Sequence, residues 1–164
     1  MKKLRKSNGF TLVEMLVATL VLVLIAGAIT VGMRTTSTVF WQHDFAASSD
    51  TLASTVNDAL SDVLRYAEYD GVAGDGTALF SNDEYNVSGG KLMLSQDGTN
   101  TASVGKLYIA DASDAKALVN VGSYDSLGIT DFSMTYADGI YSGEYTVTDG
   151  TESKSIDFAF RSLK

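Results

Sequence analysis

Hydrophobic and polar positions divide the chain into three regimes. From Phe10 to Met33 the side chains are apolar, small or hydroxyl-bearing, and Glu14 is the one ionisable group among them. About 24 residues at ~1.5 Å each make a helix of ~36 Å, enough to cross a ~30 Å hydrocarbon core, so one transmembrane helix is predicted over about 10–33. Arg34 ends the run. Thr35, Thr36, Ser37 and Thr38 follow, poor helix formers in isolation that predict a weakened helix or a short break. Phe40, Trp41 and Phe45 then form an aromatic cluster suited either to a membrane interface or to packing beneath the following domain.

In the second regime Leu52, Val56, Leu60, Val63, Leu64 and Ala67 recur at helical spacing, with Asn57, Asp58, Asp62 and Arg65 on the other face. An amphipathic helix is predicted from Asp50 to Tyr69, stopping near Gly71. Residues 70–90 read as loop with one short strand around Tyr85 to Val87. The third regime alternates with period two. Leu92 to Leu94 and Leu107 to Ile109 read as strands. Phe132, Met134 and Tyr136, then Tyr145 and Val147, then Ile156, Phe158 and Phe160 predict a three-strand meander turned at Asp138-Gly139 and Asp149-Gly150. The expected fold class is α+β: a long N-terminal helix, transmembrane then amphipathic, packed on a C-terminal antiparallel sheet.

Charge gives this layout a direction. Lys2, Lys3, Arg5 and Lys6 precede the span, which by the positive-inside bias puts the N-terminus in the cytoplasm and the C-terminal domain outside it. The chain carries 12 basic and 20 acidic residues, a net charge of −8. Such a surface repels nucleic acid, and no direct nucleic-acid role is expected. With no cysteine there is neither a disulfide framework nor a thiolate. His43 is the single histidine, and no G-x-S-x-G elbow or phosphate loop is present. No catalytic, cofactor-binding or metal-ligating residue is assigned, and the chain is read as not an enzyme. Asp83-Glu84, Asp97 to Asn100 and Asp111 to Asp114 offer calcium-type oxygens, but Asx turns and a solvated acidic face explain them as well.

Glu14 is the anomaly, because a carboxylate inside a membrane segment costs roughly 2.5–3.5 kcal/mol on insertion scales. It either lies close enough to the cytoplasmic face to reach out of the bilayer or has a partner. The string that contains it is a basic leader, Gly9, then Phe10-Thr11-Leu12-Val13-Glu14-Met15-Leu16 and an unbroken apolar run. This resembles the class III signal of type IV prepilins and pseudopilins.

The resemblance implies cleavage by a prepilin peptidase between Gly9 and Phe10, with Phe10 as a new, N-methylated amino terminus. It also implies subunit assembly through Glu14, paired with the Phe10 amine of a neighbouring subunit. The domains expected are a leader (1–9), the N-terminal helix (10–69) and a β-sheet head (70–164). The expected partners are the peptidase, other pilin or pseudopilin subunits, the membrane assembly machinery, and lipid along residues 10–33. The protein is expected as a single-pass membrane subunit that passes into an extracellular or periplasmic filament. Pilins often close their C-terminal region with a disulfide, and major pilins often carry a proline in the helix, at the position of Val31 here. This chain has neither feature, and in its closing strands it looks most like minor pseudopilins of the J or W type. A rival reading remains. Ala26-Gly27-Ala28 fits an ordinary signal-peptide site, which would leave an exported or anchored ligand-binding or adhesin domain outside any filament.

Overall fold

The computed structural model describes residues 11–112 and 114–164. One helix, α1, runs from Leu12 to Arg65. Eight strands follow: β1 (Glu68–Val72), β2 (Ala78–Asn82), β3 (Val87–Ser95), β4 (Lys106–Ala110), β5 (Ala115–Ala117), β6 (Gly128–Ala137), β7 (Ile140–Thr148) and β8 (Ser153–Arg161). The chain divides into two compact units between Asp44 and Phe45. In the first unit α1 is apolar and exposed, and it has the length and composition to cross a membrane.

The Thr35 to Thr38 segment stays helical, so of the weakened helix or short break expected from propensity, the break does not occur. The hydroxyls of Thr30, Thr35, Thr36 and Thr38 donate to the carbonyls of Ala26, Val31, Gly32 and Arg34 at 2.9–3.1 Å. Each hydroxyl thus finds an acceptor on its own helix, sharing a carbonyl of the ladder, and the helix accommodates it. Phe40 and Trp41 are both exposed on α1, and Phe45 is half-buried.

In the second unit the amphipathic stripe does what its spacing predicts. Leu52, Val56, Leu60, Val63 and Leu64 are buried in one core with Phe80, Leu107, Ile129, Met134, Tyr145 and Phe158 from the strands. Burying a side chain of this size contributes on the order of 1.5–3 kcal/mol, so this face of α1 is a principal stabilising contact of the unit.

The strands form two antiparallel sheets where one was predicted, ordered β1-β2-β3-β4-β5 and β6-β7-β8. An isolated bridge between Gly105 and Ile129 joins them. Residues 70–90, read from sequence as mostly loop, supply β2, most of β1 and the start of β3. Their interruptions misled the reading: Gly71 sits at a register shift in β1 with φ 125°, and Asp75-Gly76 is a tight turn between two short strands. The β6-β7-β8 meander is as predicted, its first turn made by Asp138 and Gly139, both at positive φ as a two-residue hairpin turn requires.

Candidate assembly site at the helix N-terminus

Thr11 stands immediately before the first residue of α1, in the N-cap position. Its Oγ1 accepts from the Glu14 amide at 3.3 Å. In return Glu14 Oε2 accepts from the Thr11 amide at 2.8 Å and from the Thr11 hydroxyl at 2.9 Å. This is a capping box, in which a threonine and the glutamate three residues on satisfy each other's free amides. The first amides of any helix lack partners within it, and the helix dipole favours negative charge there. In hydrocarbon, where water cannot serve as acceptor, such reciprocal bonding matters more.

Sequence reasoning singled out Glu14 but missed Thr11. The signal was present in the Thr11-x-x-Glu14 spacing just ahead of an apolar run. Both bonds to the carboxylate use Oε2, and among the described residues Oε1 accepts none. The cap therefore fixes the carboxylate's orientation while leaving an oxygen for a further donor. Gly9 and Phe10 lie outside the described residues.

Several acids of the β-sheet domain, the candidates Asp97 and Asp111 among them, are used locally. Asp97 Oδ1 accepts from the Thr99 amide at 2.9 Å and from its hydroxyl at 2.6 Å, which holds its carboxyl below the usual range. Asp149 Oδ1 accepts from the amides of Thr151 and Glu152, both at 2.7 Å, with the same effect. Asp111 Oδ1 accepts from the Asp114 amide. Asp75 is held at about 2, first by its hydrogen bond from the Lys91 ammonium and then by the Thr77 amide. Among the described residues no three acidic or histidine side chains converge on a point that would hold a metal ion. His43 is exposed on α1.

Residues 4–30 match the family model described as the prokaryotic N-terminal methylation motif. The N-terminus is prepilin-like. The motif indicates prepilin processing of the type IV pilin or pseudopilin kind and supports a type IV pilin-like family, with a prepilin peptidase and other pilins as the implied partners. The prepilin-like match contains Gly9, Phe10, Thr11 and Glu14 and ends before Arg34. No curated protein and no solved structure matches the chain.

Proposed function

We propose that this chain is a minor pilin or pseudopilin, of the J or W type, in a type IV pilus, competence or type II secretion-like filament. The match of the methylation motif across Gly9, Phe10 and Glu14 carries the reading. The leader comprises residues 1–9, and cleavage after Gly9 leaves Phe10 as the methylated amino terminus. Residues 10–33 hold the subunit in the membrane, N-terminus on the cytoplasmic side, until it is recruited. The β-sheet domain then faces outward on the filament, and the subunit's work is structural.

Glu14 supplies register. Its capping box with Thr11 offsets part of the burden of a carboxylate in lipid, but a cap between a neutral threonine and an anion leaves the net charge in place. The Phe10 ammonium of a neighbouring subunit, delivered as the helices stack, would neutralise it where either charge alone is costly.

N-terminal sequencing of the membrane-inserted protein tests the processing step. Phe10 in cells with a prepilin peptidase, and an intact leader in cells without it, is the expected result. A mature chain beginning at Ile29 would refute it in favour of ordinary signal-peptide export. Glu14→Gln tests the pairing, because glutamine keeps a capping box but removes the charge. The variant should insert, be processed and then enter filaments poorly. Wild-type incorporation of Glu14→Gln would show that charge pairing does not set register.

A further inference from the structure

Phe40 and Trp41 are large, apolar and left uncovered on α1, 64% and 66% exposed, with their rings in edge contact at 6.1 Å between centroids. Helical side chains lean toward the N-terminus, and here the two rings share a shallow groove with Gly32, Met33, Thr36 and Ser37, one and two turns back. Between span and rings the hydroxyls of Thr35, Thr36 and Thr38 are bonded to their own helix. No lysine, arginine, aspartate or glutamate stands between Arg34 and Asp44.

Helix arithmetic gives the depth. Arg34, the first charge after the apolar run, marks the outer edge of the hydrocarbon, which takes about 20 helical residues to fill its ~30 Å. Trp41 lies about seven residues further, ~10 Å along the axis, and the backward lean of its side chain brings the indole toward the interfacial layer, roughly 5–7 Å thick on each side. Indole and phenyl rings are favoured in that layer, and Arg34 reaches the same headgroups from below.

We propose that Phe40 and Trp41 form an interfacial anchor, inserted in the glycerol and headgroup layer of the leaflet at the C-terminal end of the span, that fixes the depth of the unassembled subunit. This rests on the span but not on the pairing of Glu14 or on filament membership.

Trp41 is the chain's single tryptophan, and its emission reports the site directly. The full chain is reconstituted in phosphatidylethanolamine/phosphatidylglycerol vesicles, with bromine placed either near the glycerol end or near the methyl end of the acyl chains. A Trp41→Phe, Leu24→Trp variant serves as a mid-span reference. Trp41 emission should be blue-shifted from that of free tryptophan and quenched more by the shallow bromolipid than by the deep one, with the order reversed for position 24. Water-like Trp41 emission with no bromolipid quenching, while position 24 is quenched, overturns the anchor and leaves the span standing. Trp41 emission that changes with the protein-to-lipid ratio but not with bromolipid overturns it in favour of contact between copies. Loss of quenching at both positions overturns the span as well. N-terminal sequencing of the same preparation reads the processing step separately.

Discussion

Tyr124 and Tyr141 are both fully buried, yet their hydroxyls meet opposite surroundings. Tyr124 Oη accepts from the Leu107 amide at 3.0 Å and so satisfies a buried backbone donor. Tyr141 Oη has no hydrogen-bond partner among the described residues. A buried polar group without a partner carries its desolvation penalty uncompensated, roughly 1–3 kcal/mol. Tyr124→Phe should therefore destabilise the domain by about 1–3 kcal/mol, and Tyr141→Phe should be neutral or stabilising by about 1 kcal/mol, as read by urea denaturation in detergent. At Gly143 the constraint is space. A Cβ there would stand 1.9 Å from the Ser133 carbonyl oxygen, beside the register shift in β6. Gly143→Ala must displace backbone and should cost about 1–3 kcal/mol in the same assay. In these strands the alternation made legible only the inward position of Tyr145 and its neighbours. The hydroxyl partners come from residues distant in sequence: Tyr145 Oη lies 3.2 Å from the Ala53 carbonyl and 3.1 Å from Asn57 Oδ1 on α1.

Among the elements, α1 stops at Arg65 and not at Tyr69, because three of its last carbonyls find partners outside the helical ladder. Asn82 Nδ2 donates to the Val63 carbonyl at 2.8 Å, the Ala67 amide to Leu64 at 3.4 Å, and the Leu163 amide to Arg65 at 2.8 Å. Asp70-Gly71 reads as a helix stop in sequence, but the chain has already turned into β1 by Glu68. The tail after β8 also bonds the Ala67 carbonyl through Ser162 Oγ at 2.8 Å. Removing Ser162 to Lys164 should expose this helix end, lower stability by about 1–2 kcal/mol and speed hydrogen exchange in its last turn first. Uniform loss of protection across the unit would show that the tail does not cap α1 in particular. At the other end of the helix the sequence was more informative, since a capping box is local and needs three residues of spacing and no tertiary contact.

Across the whole molecule the buried tyrosines set the alkaline limit. Burial raises Tyr124 from 10.0 to about 12 and also raises Tyr141 and Tyr145. These phenols are neutral when folded, while the unfolded chain ionises them near 10, so their contribution is fully present below pH 10 and is lost as pH rises toward 12. In a phenolate absorbance titration, Tyr124, Tyr141 and Tyr145 should ionise only with cooperative unfolding. Ionisation of these three near pH 10 with the fold retained would contradict this.

The sequence by itself determined the apolar run from Phe10 to Met33, long enough to span a membrane, the amphipathic stripe from Leu52 to Ala67, the α+β class and the β6-β7-β8 meander, because each is written in a pattern that local segments carry alone. Tertiary structure alone decided that the strands divide into two sheets bridged at Gly105 and Ile129, that residues 70–90 pair, and that α1 ends at Arg65. Those outcomes depend on which backbone donors and acceptors meet across long separations in the chain, and no local pattern of side chains records that.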